Sequence, residues 1–247
     1  MREIRSPANP AVKAAAELHR RRRRRERGRT LVEGPGPLGE ALDAGIVPET
    51  VFTRAVDEVV AAAEAAGAET VVVDDRILRR IAGTTHPRGP VAVVEIPSPA
   101  PARRHPTLVL HEVADPGNAG TLVRSAAAFG YDVAVIGGVD PWEPKTIRAG
   151  AGAHFRVRFV VPADLDELRR VGLVVAGAVP RGGVPPEELD PEAAIVVGSE
   201  AHGLPGDVDL DVAVTIPTAI ESLNAAVAGS ILMYVAARRA GRLGQGG

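Results

Sequence analysis

Apolar positions along this chain fall into short runs rich in Val and Ile, and these alternate with longer stretches in which apolar residues recur every three or four positions. The first pattern predicts strands and the second helices. In the first part, PAVKAAAELHRRRRRRERG reads as one helix and TLVEGPG as a strand and turn. LGEALDAG follows as a short helix, TVFTR as a strand, EVVAAAEAAG as a helix, TVVVD as a strand, DDRILRRIAG as a helix and PVAVVEIP as a closing strand. PSPAPARRHP, residues 97–106, holds neither a helix nor a central strand and reads as a linker. The expected domains are therefore residues 1–96, a small α/β sandwich, and residues 107–247.

The second domain repeats the alternation on a larger scale. TLVLHEV, DVAVIGG, FRVRFVV, LVVAGAV, AIVVGS and VAVTIP read as strands, with helices at residues 119–129, 144–148 and DLDELRR. Such β-branched runs separated by helices predict a mostly parallel sheet covered on both faces. A last helix is expected from about Ser222 to Arg239. Leu223, Ala226, Val227, Ile231, Leu232 and Val235 leave it few polar faces, so burial on nearly all sides is predicted.

Composition narrows the chemistry. The chain has 247 residues and no cysteine, which excludes disulfides, thiolate nucleophiles and cysteine-held zinc. Its six His show no metal-ligand spacing, so no metal is expected. Neither a secretion signal nor an apolar run long enough to span a membrane is recognisable, and the protein reads as cytoplasmic. The net charge of -2 hides an asymmetry: residues 1–30 hold 11 Lys/Arg against 3 Asp/Glu. HRRRRRRERGR, from His19 to Arg29, reads as an arm for a polyanion, with a solvated helix face as the plainer alternative.

Ligands in open α/β sheets collect beyond the carboxyl ends of the strands, which directs attention to the loops there. The loop after LVVAGAV offers Gly177 as bare backbone. GSEAHGLP, residues 198–205, sets a hydroxyl and a carboxylate between glycines, and IPTAIESLN, residues 216–224, leads into the last helix. Singly, Ser222 and Asn224 read as helix caps. Together the loops suit a neutral ligand the size of adenosine. An earlier stretch, DPGNAGTLVRSAAAFG at residues 115–130, mimics a dinucleotide loop, but its glycines are misplaced and it carries Asn118 and Arg124.

DPGNAGTLVRSAAAFG, GSEAHGLP and IPTAIESLNAAVAGSILMY, in that order across residues 107–239, resemble the three motifs of the SpoU (TrmH-type) RNA ribose 2'-O-methyltransferases of the SPOUT superfamily. EGPGPLGEAL and THPRGPVAVVE resemble, more loosely, the ribosomal-protein-like RNA-binding domain that precedes the catalytic domain in many of these enzymes. The resemblance implies a trefoil-knotted C-terminal domain, a homodimer through the last helix, and S-adenosylmethionine as methyl donor. It assigns the donor to Gly177, Gly198, Ser199, Glu200, Gly203, Ile216, Pro217 and Leu223, and the reacting ribose to Asn118, Arg124, Glu200, Ser222 and Asn224. Ribosomal RNA is the expected substrate, with transfer RNA the other possibility. Arg20, Arg21, Arg22, Arg23, Arg24, Arg25 and Arg27 are the expected RNA contacts, joined by Lys145 and Arg148.

The family's proposed base is Arg124, although a guanidinium keeps its proton above pH 12 or so. A cation that grips the neighbouring phosphate and acidifies the hydroxyl is the alternative reading. RAGAGAH, where the family often has a small hydroxyl residue, here has Gly150 and Gly152. The rival from another class is an RNA-binding protein that keeps the knot and has lost methyl transfer. A degenerate nucleotide-dependent oxidoreductase is less favoured, because no acidic residue follows at a suitable distance.

Overall fold

The computed structural model describes residues 2–162, 164–199 and 201–243. The chain divides into two compact units, one of Met1–Pro97 with Trp142–Arg156, the other of Ser98–Pro141 with Val157–Gly247.

The first unit contains β1 (Arg2–Ile4), α1 (Pro10–Ala16), α2 (Arg21–Arg27), β2 (Arg29–Glu33), α3 (Pro35–Asp43), β3 (Thr50–Thr53), α4 (Glu58–Ala65), β4 (Glu69–Val73), α5 (Asp75–Ala82) and β5 (Val91–Glu95). Its sheet runs β1-β4-β3-β5-β2, with β5 antiparallel to both neighbours. Alternation along each strand sends Leu31, Phe52, Val71 and Val91 to one face, where they meet Val12 and Leu18 near α1 and Ile77, Leu78 and Ile81 on α5. Val32, Val51 and Ala92 point the other way, toward the layer of α3 and α4, whose Leu38, Ala41, Val60 and Ala63 are fully buried. Local chemistry sets the helix ends. Asp57 and Asp74 accept from Val60 N and Ile77 N at 3.0 and 2.8 Å, and Gly83 closes α5 at φ 67°.

The single N-terminal helix read from the sequence is in fact broken. After α1 and a short 3₁₀ turn, Arg20 is extended (φ -88°, ψ 121°) and α2 starts afresh. Arg24 accounts for the break. Its side chain is turned inward, and Nη1 donates to the Leu18 and His19 carbonyls at 2.7 and 2.9 Å, capping the turn that a continuous helix would have consumed.

The second unit contains β6 (Thr107–His111), α6 (Pro116–Phe129), β7 (Asp132–Ile136), β8 (Phe159–Val160), α8 (Leu165–Arg170), β9 (Val175–Ala178), β10 (Ala194–Val197), β11 (Val212–Val214) and α9 (Ala225–Arg239). The remaining helix, α7 (Pro144–Ala149), belongs to the first unit. The sheet runs β11-β9-β10-β6-β7-β8, and every pairing in it is parallel. One face packs Leu108, Leu110, Ile195 and Val197 against α6 and α9, and the other packs Val109, Ala134 and Val196 against Leu168 of α8. Burial of both faces is why these strands read as unbroken apolar runs.

Two features depart from the sequence reading. Residues 142–156 lie inside the expected second domain, yet they pack with the first unit. Trp142 stacks near His154 and Phe155 at 5.9 and 5.8 Å, its carbonyl accepts from Thr30 Oγ1 at 2.6 Å, and Arg148 and Arg156 pair with Glu33 and Glu40. Gly152, at φ 83°, leaves no room for a side chain, since a Cβ there would lie 2.6 Å from Pro37 Cα. The last helix, moreover, is not buried all round. Its inner stripe, Ala226, Gly229, Leu232, Met233 and Ala236, packs on α6 and β10, with Gly229 closely approached by Leu122 and Val197. Val227 and Tyr234 remain 47% and 43% exposed, with the Phe129 ring edge-on to Tyr234 at 5.8 Å. No described helix is long and apolar enough to cross a membrane.

Candidate active site

The parallel sheet ends β9, β10 and β11 on one edge, and the segments that follow enclose a cavity of about 750 Å³. Ala178, Val179 and Pro180 line it at the end of β9, Gly198, Ser199 and residues 201–204 after β10, and Ile216, Thr218 and residues 221–224 after β11, with Ala228 and Leu232 of α9 also in the wall. The walls are aliphatic, and the polar side chains reaching them among the described residues are Ser199, His202, Thr218, Glu221, Ser222 and Asn224. This is the size and lining of a small-molecule site.

The loop after β10 is wound tightly. Ser199 N donates to Gly203 O at 3.0 Å, Gly203 N donates back to Ser199 O at 2.8 Å, and His202 N donates to Ser199 Oγ at 3.3 Å. Gly203 holds the left-handed conformation at φ 67°. A Cβ on Gly198 would lie 2.3 Å from Gly203 C and O, so the chain can close on itself there only with glycine. Further along, Asp211 fastens the approach to β11. Its carboxylate accepts from Val175 N at 2.8 Å and Arg169 Nε at 2.9 Å, and these bonds, led by the one from Val175, hold its pKa below the usual aspartate value.

Asn224 caps α9 by accepting from Ala226 N and Val227 N at 2.9 and 3.2 Å, which starts the helix later than Ser222. Its Nδ2 donates to Asn118 Oδ1 at 3.1 Å, joining the first turn of α6 to that of α9. Asn118 is itself fixed by the capping carboxylate of Asp115, which accepts from Asn118 N at 2.8 Å. The capping reading of Asn224 and the grouping of the two motifs thus describe the same side chain. Arg124 stands on the exposed side of α6, and no described residue gives it a hydrogen bond or ion pair.

Of the residues expected around the donor, Gly198, Ser199, Gly203, Ile216 and Leu223 line the cavity, as do Ser222 and Asn224 from the ribose set. Gly177 does not. It sits within β9 beneath Leu210 and Leu204, whose methyl carbons would lie 2.3 and 2.9 Å from a Cβ, so its smallness serves packing. Pro217, Asn118 and Arg124 are likewise outside the lining, and Glu200 lies outside the described residues. Sequence reasoning missed Thr218, Glu221 and His202. All three lie inside quoted motifs, so polarity at the tip of a loop was the available signal.

In the first unit, the expected RNA contacts separate into kinds. Arg24 is only 2% exposed and serves the chain's own carbonyls, which removes it from any RNA surface. Arg22 and Arg23 pair with Glu26, Arg27 pairs with Glu17, and Arg148 is held by the buried Glu33 carboxylate. Arg20, Arg21, Arg25 and Lys145 are exposed. Among the described residues, no three His, Asp or Glu side chains gather in a way that could hold a metal.

Residues 105–234 match the model of the SpoU rRNA Methylase family, and residues 9–92 match the MRM3-like substrate binding domain. A 23S rRNA (guanosine(2553)-2'-O)-methyltransferase of Bacillus subtilis is 30% identical, over 95% of this chain and 98% of its own length. The AdoMet-bound rRNA methyltransferase of Sinorhizobium meliloti superposes with a TM-score of 0.85 at 28% identity, over 96% of this chain and 98% of the other. AviRb of Streptomyces viridochromogenes, a SpoU methyltransferase in complex with AdoMet, superposes with a TM-score of 0.82 at 26% identity, over 94% and 98%.

Proposed function

The chain belongs to the SpoU rRNA methylase family, and from that premise we propose that it transfers the methyl group of S-adenosylmethionine to a ribose 2'-hydroxyl of ribosomal RNA. The observation that carries this reading is the cavity beyond β9, β10 and β11, built from the family's own two C-terminal motifs. Its residues suit the donor. The closed turn from Gly198 to Gly203 offers backbone to an adenosine, the aliphatic walls accept its apolar body, and Ser199, Thr218 and Ser222 supply hydroxyls. When bound, S-adenosylmethionine supplies an electrophilic methyl group on a sulfonium.

The chain's own residues then have three tasks. Leu204, Leu223 and Leu232 keep water from the reacting atoms, which strengthens every charge interaction there. The Asn118–Asn224 bridge fixes the starts of α6 and α9 against each other, so that groups from distant segments keep one geometry. Arg124 acts as a cation: it grips the phosphate beside the target nucleotide and lowers the hydroxyl's pKa, and the proton leaves to a phosphate oxygen or water.

Arg124 lies outside its own chain's cavity lining, and the exposed Val227 and Tyr234 form an apolar stripe on α9. Both facts support a homodimer through the C-terminal unit, in which the second copy covers that stripe and Arg124 completes a site. The C-terminal domain carries the trefoil knot in this reading, residues 1–96 bind the RNA, residues 97–106 are the linker, and residues 107–247 form the methyltransferase domain. The enzyme works in the cytoplasm.

The test is kinetic. Arg124→Ala is expected to lower kcat/KM for RNA by about 100-fold or more while leaving S-adenosylmethionine affinity intact, as loss of one charge-stabilising group does. Arg124→Lys separates the two roles: a phosphate fork loses rate at all pH values, whereas a deprotonating lysine restores rate with rising pH. A fully active Arg124→Lys with an unchanged pH profile refutes both.

A further inference from the structure

Sequence alone directs attention to the arginine run as the RNA-binding element, but the structure distributes the usable charge differently. Intramolecular carboxylates already hold Arg22, Arg23 and Arg27, and Arg24 is buried. Three further arginines lie on α5, which the run does not include. Arg76, Arg79 and Arg80 fall within a 100° arc of that helix, opposite the buried Ile77, Leu78, Ile81 and Ala82, and all three are exposed. No described residue gives any of them a hydrogen bond or ion pair.

Helix α5 packs beside α1, and the ring of His19, at the entrance to α2, donates from Nε2 to Ile81 O at 2.8 Å. The cationic face of α5 is therefore continuous with the layer that carries Lys13, Arg20 and Arg25, which are also exposed and without a side-chain partner among the described residues. The acids in this layer are committed: Glu17 and Glu26 to arginines, Asp75 to Arg54 at 3.1 Å, and Asp74 to the cap of α5. Helices α3 and α4 on the opposite face contain no Lys or Arg and carry Glu40, Asp43, Glu58 and Glu64, of which Glu40 is paired with Arg156.

We infer that the α1–α2–α5 layer of the first unit is the surface that carries the RNA sugar–phosphate backbone, with Arg76, Arg79 and Arg80 as phosphate contacts. This rests on the reading of the substrate as RNA. A cation without an internal partner releases a counterion when it meets a phosphate, and a cation already held by a carboxylate gains less from the exchange. The layer suits backbone contact without base readout, because it is helical and its three helices contain no Phe, Tyr or Trp.

The experiment measures binding of deproteinised ribosomal RNA to the full chain as a function of salt, with S-adenosylmethionine affinity and the melting temperature as checks on folding. R76A/R79A/R80A is expected to lower the slope of log K against log salt by about 2 to 3, at 0.7 to 0.9 per phosphate contact, and to weaken binding by about tenfold or more at low salt. R76K/R79K/R80K should retain the slope. R2A/R5A/R170A removes the same charge from arginines paired with Glu69, Glu3 and Asp164, none of them on α5, and should change the slope by less than about 1. An unchanged slope in the α5 variant, or an equal change in the paired-arginine variant, overturns the surface and leaves the enzymatic reading standing. If the unaltered protein neither binds nor methylates RNA, both fall.

Discussion

Gly198 is the position where one added carbon tests the cavity most sharply. In Gly198→Ala the new Cβ would stand 2.3 Å from Gly203 C and O and 2.5 Å from Leu204 N, whereas ordinary contact begins at 3.4 Å. The backbone at Gly203 and Leu204 must therefore retreat by about 1 Å, because rotamer changes cannot relieve a clash between main-chain atoms. That retreat pulls on the reciprocal pair between Ser199 and Gly203, at 3.0 and 2.8 Å. Losing two such bonds costs about 1–3 kcal/mol, which agrees with the usual cost of overpacking. The corresponding fall in melting temperature is about 2–4 °C for each kcal/mol in a chain of this size. S-Adenosylmethionine affinity, read by calorimetry, should drop at least about tenfold, since the displaced segment is a wall of the cavity. Gly203→Ala is the informative contrast. Nothing lies within 4 Å of its Cβ, so it should show only the cost of a left-handed alanine, about 1 kcal/mol. A Gly198→Ala protein that melts and binds like the unaltered one would refute the assignment of this loop.

Asn224→Ala should destabilise the protein by about 1–3 kcal/mol, from the lost cap and the lost bond to Asn118. Asn224→Ser, which keeps a capping oxygen, should recover most of that stability without recovering activity, and denaturant melts together with a methyl-transfer assay read the two separately. Asp211 has a folded pKa below its unfolded value, so its stabilising contribution is present above about pH 4 and declines as pH falls through the depressed folded pKa. The stability gap between the unaltered protein and Asp211→Asn should narrow correspondingly in acid melts. Val227→Asp combined with Tyr234→Asp puts charges on the exposed stripe of α9. Sedimentation at about micromolar concentration should find a monomer, with activity down at least about tenfold; a fully active monomer contradicts the two-copy site.

The second unit was the more legible half because its strands are buried on both faces, so each appears in the sequence as an apolar run and each strand exit as a glycine or polar turn. Gly198, Gly203 and Ser199 stood out for that reason. The roles of Asn118 and Arg124 came only through the family resemblance, since neither composition nor periodicity says that the first turns of α6 and α9 meet. Gly177 misled because a glycine needed for the close approach of Leu210 reads the same as one needed for a ligand. The arginine run misled in a related way. A string of like charges conceals which members have internal partners, and Arg24 turns inward to the Leu18 and His19 carbonyls while its neighbours do not. The docking of residues 142–156 on the first unit depends on contacts of Thr30 with the Trp142 carbonyl, of Arg148 with Glu33 and of Arg156 with Glu40, pairings that no local pattern encodes.

The most direct measurement incubates the full chain with S-adenosylmethionine carrying a labelled methyl group and deproteinised ribosomal RNA, then locates the label by nuclease digestion and mass spectrometry. The account predicts label on a ribose 2'-oxygen at a defined nucleotide, with the initial rate of incorporation lowered at least about tenfold by Gly198→Ala at limiting S-adenosylmethionine and about 100-fold or more by Arg124→Ala. Label on a base, or no label in any ribosomal RNA, would contradict it.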